Sequence, residues 1–468
     1  MRKFILPKKI LLSVGNIVDV ENLFVEKDLQ IGLNETMTSS FEGKCSIIID
    51  FGAEIRGGIR ILTRKYKGDK IRVRLGESVS ECNAELGERG SCNDGAIRDD
   101  FVSIGSLTDE FIFNTGFRFA RIDFPENATA KIKNIYAYCD ILSLAQIYNY
   151  SGTEKLIKEI FECSKRTIDL CAYGEYVWDG IKRDRLVWIG DLYPEMLALT
   201  ALYGRVKQVE NSLDFIKRQT PLPAFMNNIP TYSLWWIITL CEYYKRTNCY
   251  DFLLTQKEYI LGLSELVLSH ITDTGMPDYK GYFIDWQTTS GIDEDCGGIA
   301  LNLLAIKSFI YLFDILKVNN SQLLDVKNKL QTLELPTCTK KQIIALKYWA
   351  FGKINDDEKQ SLITNGVSGI TTFLSFIILE TIAQTFSIEM AVNVMKQYYG
   401  AMIALGATTF FEDFDIETIT DCNTIDKLNV DTKKDYHGDT GAHCFTGFRK
   451  SLCHGWSAGI IDFIKKYC

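Results

Sequence analysis

The hydrophobic pattern changes its period near residue 145, and this change divides the 468 residues into two parts that must fold differently. Before it, short runs rich in β-branched and aromatic residues alternate with period two, as in FRFARIDF at 117–124. After it, apolar residues recur at helical spacing, and Leu156, Ile160 and Cys163 lie on one stripe. The sequence therefore predicts a β-rich unit over residues 1–145 and a helical unit over residues 146–468.

The order of the elements predicts the fold class. Six β-rich runs separated by turn residues indicate an antiparallel sheet with one face in a core, and their total length suits a β-sandwich. Ten to twelve helices follow without strands between them, which argues against a βα barrel and favours helical hairpins arranged in an α/α toroid. The six runs are residues 46–52, 57–66, 70–77, 110–116, 117–124 and 130–138.

Charge and aromatic content restrict the function. The chain carries 52 Lys and Arg against 60 Asp and Glu, a formal net charge of −8, and no local basic stripe. Both features argue against a nucleic-acid partner. Aromatic residues make up 12% of the chain while His occurs only 4 times, so we expect chemistry based on carboxylates.

Three features predict a cytoplasmic location. The 14 Cys are scattered without a Cys-x-x-Cys pair, which is typical of reduced thiols. Pro7, Lys8 and Lys9 interrupt the apolar N-terminal stretch, so we predict no signal peptide. The most apolar later stretch, residues 367–386, contains Thr, Ser, Gln and Glu380, and we predict no membrane-spanning segment.

The densest polar and aromatic stretch lies at residues 176–195. Its charged side chains must be paired if they are buried, so the stretch is either a ligand site or a structural ion-pair network. Asp184 and Asp191 are seven residues apart and would face the same way on a helix. Both carboxylates could then address one cleft.

A second candidate segment, residues 406–414, places Glu412 and Asp413 among Thr and Phe side chains. Apolar surroundings tend to raise the pKa of a carboxylic acid, which suits a general acid or base. The alternative is a helix N-terminus at which Thr408 or Thr409 is the cap and Glu412 its capping-box partner.

Two further patterns concern His and Trp. His437, His443 and His454 lie within eighteen residues, but their spacing matches no zinc template, so we predict no metal site and a polar ligand contact from His454. Residues 227–236 and 283–287 place Trp beside polar side chains, an arrangement found both in sugar-binding surfaces and in protein cores.

Taken in order, five segments resemble the α-L-rhamnosidase family of glycoside hydrolases: DGIKRDRLVWIGD (179–191), NNIPTYSLWW (227–236), FIDW (283–286), GATTFFE (406–412) and SLCHGWSAG (451–459). The resemblance covers about residues 40 to 460. It implies a jelly-roll-like β-sandwich followed by a six-hairpin (α/α)6 toroid that carries the catalytic residues.

The resemblance also implies an activity. Family enzymes are inverting exo-glycoside hydrolases that remove terminal α-L-rhamnose with a carboxylic acid and a carboxylate base, and no cofactor is expected. Glu412 takes the place of the general base. Asp184 is the carboxylate nearest to the place of the general acid, because Arg183–Trp188 is one residue shorter than the family's RDERLGW-type stretch and lacks its Glu.

This departure leaves three interpretations: Asp184 is the acid, Asp179 or Asp191 replaces it, or the protein is a non-catalytic sugar-binding protein. A hydrolase of another sugar or a polysaccharide lyase on the same toroid is a further alternative. The expected partner is a small carbohydrate or glycoside, with neither nucleic acid nor membrane, and the protein is expected to be a monomer or a homodimer. The predicted sugar subsite comprises Asp179, Arg183, Trp188, Asp191, Asp285, Trp286 and His454.

Overall fold

Strands occupy the chain up to residue 140, and helices dominate from residue 155 onward. The computed structural model describes residues 2–34, 36–172, 174–279, 282–288, 291–428, 433–441 and 443–468. The first seven strands are β1 Arg2–Ile5, β2 Lys9–Val18, β3 Ser39–Lys67, β4 Ile71–Gly76, β5 Asp99–Val102, β6 Thr108–Phe124 and β7 Thr129–Asp140. They form one antiparallel sheet in the order β1-β7-β3-β6-β4-β5, with β2 also paired to β3.

Strands β3 and β6 are longer than the sequence predicts. The predicted runs 46–52 and 57–66 are joined in β3, with an irregular register between Asp50 and Ile55, and β6 likewise joins 110–116 and 117–124. The predicted turn between residues 52 and 57 is wrong, because β3 continues through it. Gly57, the first residue of the second predicted run, allows a neighbouring strand to approach closely. A Cβ there would lie 1.9 Å from the Tyr138 carbonyl oxygen.

The alternating residues of the sheet form a core of their own. Ile47, Ile49 and Ile59 of β3 are fully buried, as are Phe117 and Ile122 of β6. The strand pairing confirms the predicted antiparallel sheet. Ile48 and Phe119, which belong to a second buried cluster, are also fully buried, so this part of the sheet is covered on both faces and not half-buried.

Fourteen α-helices are present in the described residues. Helices α1 and α13 are short, with five and four residues. The sequence does not predict α10. The helices are α1 Val79–Asn83, α2 Lys155–Cys171, α3 Leu192–Tyr203, α4 Lys207–Gln219, α5 Pro230–Thr247, α6 Tyr250–Ser269, α7 Ile292–Leu316, α8 Ser321–Thr332, α9 Lys341–Phe351, α10 Asp356–Ile363, α11 Ser375–Thr385, α12 Ile388–Ala404, α13 Tyr436–Asp439 and α14 Ile460–Tyr467.

Six of these helices contact one another in succession. Helix α3 contacts α5, α5 contacts α7, α7 contacts α9 and α9 contacts α11, while α14 contacts both α11 and α3. Two short strands, β8 Cys422–Asn423 and β9 Lys434–Asp435, also form a parallel pair in this half of the chain. The expectation that strands are absent from the helical unit is therefore wrong in this one place.

Helix α7 is the one helix in the described parts of the chain that is long and apolar enough to cross a membrane. Its most apolar window is 72% buried by neighbouring parts of the protein, as in the core helix of a globular domain. The length and composition of α7 are therefore weak evidence for a membrane-spanning helix.

Aromatic side chains fill the space between the six helices. The fully buried Trp235 of α5 lies with its ring centroid 5.1 Å from that of Tyr193 and 6.2 Å from that of Trp349. It therefore connects α3, α5 and α9 at the centre of the helical core.

We expect Trp235→Ala to lower the free energy of unfolding by about 3–5 kcal/mol, because the lost side chain leaves a cavity that its neighbours cannot fill. Urea unfolding followed by circular dichroism measures the change. Tyr250→Ala, at a residue 45% exposed, is the control and should stay within about 0.5 kcal/mol of the wild type. Equal effects of the two substitutions would contradict the central position of Trp235.

Candidate active site

Four buried polar side chains meet at the end of the helical unit where α3 and α14 begin. The Nε2 atom of His454 lies 3.9 Å from Oδ2 of Asp179, from Oδ2 of Asp191 and from Oε1 of Glu412. Each of the four residues is at most 4% exposed. Burial lowers the pKa of His454 to about 4, so the imidazole is neutral near pH 7.

Backbone hydrogen bonds hold the segments that carry these side chains. The His454 N–H donates to the Phe410 carbonyl oxygen (3.0 Å), and the Gly455 N–H donates to that of Asp179 (2.6 Å). Residues distant in sequence are thereby fixed side by side. Local periodicity does not predict such contacts.

Glu412 forms the central ion pair of the site. Its Oε1 atom accepts a hydrogen bond from Nη2 of Arg183, and its Oε2 atom accepts one from the Ser451 N–H (2.9 Å). Burial by itself raises the pKa of Glu412, but the Arg183 guanidinium outweighs it and the pKa falls to about 2. The prediction of a raised pKa is therefore wrong, since it took account of the apolar neighbours and not of Arg183.

The segment around Glu412 is not helical, so the capping-box alternative is also wrong. Residues 407–415 lie in a loop after α12. The Thr408 hydroxyl accepts from the Glu54 N–H of the sheet unit (2.9 Å), and the Thr409 hydroxyl donates to the Leu452 carbonyl oxygen (2.8 Å). These threonines anchor the loop to distant parts of the chain.

Asp184 lies in a turn, and the predicted helical relation between Asp184 and Asp191 is wrong because α3 begins only at Leu192. Asp184 and Arg185 have φ angles of 53° and 58°, two successive left-handed residues of the strained kind found at functional sites. Gly95 of the sheet unit packs on this turn, where a Cβ would lie 2.9 Å from the Asp184 nitrogen.

One guanidinium bridges Asp184 and Glu412. Arg183 donates through Nη1 to Oδ2 of Asp184 (2.9 Å) and through Nη2 to Glu412. The Asp184 side chain is 32% exposed, whereas that of Glu412 is 3% exposed. Asp184 therefore lies at the mouth of the site, with Glu412 inside.

Asp179 and Asp191 are the inner carboxylates. Asp179 Oδ1 accepts from the Leu186 N–H (2.8 Å), and Asp191 Oδ1 accepts from the Tyr232 hydroxyl at 3.4 Å. Burial raises the pKa of both carboxyls well above their usual range, and nearby carboxylates raise it further. They can therefore carry protons under conditions in which Glu412 stays ionised.

Asp285 joins the site through two adjacent threonines. Its Oδ2 accepts from the Thr371 hydroxyl (2.6 Å), and the next residue, Thr372, donates to the carbonyl oxygen of Glu412 (2.6 Å). Burial raises the pKa of Asp285 to about 7.

The two predicted Trp residues also reach the site. Trp286 is 38% exposed, and its ring centroid lies 6.2 Å from that of Phe445, which covers the Arg183 guanidinium. Trp188 packs edge-on against Tyr232, the donor to Asp191. Contacts thus connect all nine residues that the sequence singled out.

Several residues of the site were missed. The Cys444 thiol donates to Oε1 of Glu412 (3.1 Å), and no pattern around Cys444 signals this contact. Glu195 is fully buried, and its Oε1 lies 1.9 Å from where a Cβ at Gly455 would stand, so a side chain at 455 would displace it. Its place one helical turn after Asp191 was a usable signal.

The other histidines have separate partners. His437 Nδ1 pairs with the Ser78 hydroxyl (2.8 Å), and His443 Nε2 lies 3.6 Å from Asp415. Among the described residues, one group has metal-ligand spacing: Glu77, Glu81 and His437. The Lys182 ammonium lies 3.0 and 3.2 Å from the two carboxylates and supplies the positive charge there.

We expect Arg183→Met to lower the free energy of unfolding by about 3–5 kcal/mol near pH 7, because it leaves Glu412 buried without its cation. In the wild type the stabilisation is present above the ordinary pKa of Glu and is lost only as the pH falls through about 2. In the variant, burial raises the pKa of Glu412, so the destabilisation grows as the pH rises from 5 to 8.

Melting temperatures of Arg183→Met and the wild type at several pH values test whether the destabilisation grows with pH. Arg218→Met removes a guanidinium that is 60% exposed and lies 3.5 Å from Asp214, and it should have little effect at any pH. A loss of stability in Arg183→Met that is equal at pH 5 and pH 8 would contradict the ion-pair account.

Comparison with known proteins identifies the fold. No family model and no curated protein matches the sequence. A rhamnosidase from Klebsiella oxytoca, solved with rhamnose bound, superposes with a TM-score of 0.76 at 17% identity, covering 100% of this chain and 96% of that one.

Two longer enzymes are also similar. A GH78 family rhamnosidase of Bacillus sp. GL1 gives a TM-score of 0.69 at 17% identity, covering 95% of this chain and 48% of its own. A Streptomyces avermitilis α-L-rhamnosidase complexed with L-rhamnose gives 0.67 at 13% identity, covering 89% and 42%. This chain thus spans about half of these two proteins. The resemblance predicted from the motifs is confirmed for the fold: the chain has the β plus helical fold of the α-L-rhamnosidases, which are glycoside hydrolases.

Proposed function

We propose that the protein is an inverting, exo-acting glycoside hydrolase that removes terminal α-L-rhamnose from oligosaccharides or glycosides. The observation that carries the proposal is the group of three buried carboxyls around the neutral imidazole of His454. Fixed donors and acceptors at this density suit the hydroxyl groups of a neutral sugar. Rhamnose bound to the structurally similar Klebsiella and Streptomyces enzymes supports the choice of sugar.

Glu412 is the proposed general base. Its lowered pKa keeps it ionised at every pH at which the enzyme would work. It accepts a proton from water while the water oxygen bonds to the anomeric carbon. The water becomes strongly acidic only as that bond forms, so a weak but fully ionised base suffices.

Asp184 is the proposed general acid. It donates a proton to the glycosidic oxygen as the bond to the anomeric carbon breaks. The leaving group departs toward solvent, and Asp184 is the carboxyl at the mouth of the site, beside Arg183.

Asp179 is the second candidate for the acid. Its raised pKa suits a proton donor, and its Oδ2 and the Oε1 of Glu412 both lie 3.9 Å from His454 Nε2, so the two carboxyls face the same imidazole.

The remaining predicted residues form the proposed sugar subsite. Asp191, Asp285, Arg183 and His454 offer hydrogen bonds to ring hydroxyls, and Asp179 joins them if Asp184 is the acid. The half-exposed ring of Trp286 and the ring of Trp188 supply apolar surfaces for the CH groups and the methyl group of the sugar.

We also propose a finer description of the fold. The succession of contacts from α3 through α5, α7, α9, α11 and α14 back to α3 supports a closed inner ring, and hence an (α/α)6 toroid. The irregular register between Asp50 and Ile55 supports a bend of β3 between two layers of a jelly-roll-like sandwich. The proposed units are residues 1–145 and 146–468.

A reducing compartment is consistent with the cysteines. All fourteen are free thiols, and ten of them are buried. Cytoplasmic location therefore stays our proposal, and the monomeric or homodimeric state stays a prediction.

We expect Glu412→Gln to lower kcat for hydrolysis of an aryl α-L-rhamnoside by about 10²–10⁴-fold while leaving rhamnose affinity largely intact, because glutamine keeps the shape and one acceptor oxygen for Arg183 but cannot take a proton from water. Glu417→Gln makes the same chemical change at an exposed residue five positions later and should behave as the wild type. Aryl alcohol release and calorimetric binding measure the two quantities.

A panel of other aryl glycosides is included in the same experiment. If the wild type hydrolyses a different glycoside and not the rhamnoside, the sugar of that glycoside is the substrate in place of rhamnose. Rhamnose binding without turnover of any glycoside would favour the non-catalytic sugar-binding alternative.

We expect Asp184→Asn to slow the hydrolysis of rhamnosides with poor leaving groups far more than that of activated aryl rhamnosides, because protonation matters least when the aglycone leaves easily. Rates for a series of leaving groups test this, with Asp179→Asn measured alongside. If the dependence on the leaving group appears in Asp179→Asn instead, Asp179 is the acid.

A further inference from the structure

A buried cluster of charged residues joins the sheet unit to the candidate site. Glu77, after β4, and Glu81, in α1, are both at most 1% exposed. Their carboxylates lie 3.0 and 3.2 Å from the ammonium of Lys182, which directly precedes Arg183. None of these three residues belongs to the proposed acid, base or sugar subsite.

Glu77 also contacts the segment that holds Glu412. Its Oε1 accepts from the Ser451 hydroxyl (3.0 Å), and its Oε2 accepts from the Leu452 N–H (2.6 Å). Ser451 in turn donates its N–H to Oε2 of Glu412 (2.9 Å) and accepts the Glu412 N–H on its carbonyl oxygen (3.0 Å). One serine therefore lies between the two carboxylates and is bonded to both.

The second donor to Glu412 is fixed from the same cluster. Lys182 donates to the carbonyl oxygens of Phe448 and Lys450, each at 2.7 Å, and Arg183 donates through Nε to that of Arg449 (2.8 Å). Lys182 and Arg183 thus hold the chain just before Ser451. Glu77, paired with Lys182, contacts both parts of this arrangement.

Glu81 belongs to the same cluster but does not contact the segment beside Glu412. Its carboxylate contacts Lys182, accepts the Glu77 N–H (2.8 Å) and has its Oε1 3.8 Å from Arg98. No hydrogen bond joins its carboxylate to Ser451 or Leu452 within the described residues. The two glutamates are therefore equally buried and share Lys182, but within the described residues only the Glu77 carboxylate accepts hydrogen bonds from Ser451 and Leu452, beside Glu412.

We propose that Glu77, from the sheet unit, is a positioning residue for Glu412, acting through its hydrogen bonds with Ser451 and Leu452. The proposal rests on the proposed role of Glu412 as the base. The sheet unit would then be part of the active site, since the Ser451 N–H that Glu412 accepts depends on the Glu77 carboxylate for its placement.

The test compares Glu77→Gln with Glu81→Gln. Each substitution removes one buried negative charge beside Lys182, so both should lower the melting temperature to a similar extent. A glutamine at 77 no longer offers two anionic oxygens to Ser451, Leu452 and Lys182, and Glu412 loses its fixed place. We expect kcat for an aryl α-L-rhamnoside to fall on the order of 10²-fold in Glu77→Gln with KM little changed, and to stay within a few-fold of the wild type in Glu81→Gln.

Crystal structures of both variants separate this proposal from the proposed function. We expect the distance between the Ser451 nitrogen and Oε2 of Glu412 to exceed 3.5 Å in Glu77→Gln and to stay near 2.9 Å in Glu81→Gln. A wild type inactive on every glycoside, together with this shift, would overturn the function and keep the positioning. An unchanged distance in Glu77→Gln, or equal losses of kcat in the two variants, would overturn the positioning.

Ser451→Ala is the second variant if Glu77→Gln does not fold. It keeps the N–H that Glu412 accepts and removes only the hydroxyl that Glu77 accepts. A smaller loss of kcat in the same direction is expected, and wild-type kcat together with an unmoved Glu412 would overturn the proposal.

Discussion

The ion pair between Arg183 and Glu412 is the interaction on which the site depends. A carboxylate buried to this extent is ionised only if a cation and good hydrogen-bond donors replace water. The planar guanidinium of Arg183 donates to Glu412, to Asp184 and to the Arg449 carbonyl oxygen at once, with Phe445 on its face. A lysine has the charge but not this geometry, so the fixed fork matters as much as the charge.

The sequence predicts the division of the fold and not its details. The change of hydrophobic period near residue 145 separates the strands from the long helices, because periodicity reports which face of each element is buried. It does not reveal that β3 continues through residues 53–56, since Gly52 followed by charged residues looks like a turn between two strands, whereas the chain only changes its register there. The mostly exposed β1 and β2 carry no such pattern.

For the candidate site as well, the sequence predicts which residues matter but not how they are arranged. Composition and motifs single out the residues around Asp179, Glu412 and His454, because charged residues beside Trp need a special environment. The helical geometry of Asp184 and Asp191, the capping box at Glu412 and its raised pKa are wrong for one reason. Each was inferred from sequence neighbours, whereas the environment of these residues is set by contacts such as Thr408 with Glu54, 354 positions apart.

The contrast between the carboxyls is the physical basis for the proposed ligand. Glu412 faces a guanidinium and has a lowered pKa, while Asp179 and Asp191, which face the same imidazole of His454, have raised ones because burial acts on them without an equal cation. One cluster thus holds both an ionised acceptor and carboxyls able to donate. A hydroxyl group needs both kinds of partner, since it donates one proton and accepts another. A cation would have to displace Arg183, and an anion would meet Glu412, so the charge arrangement itself favours a neutral polyol.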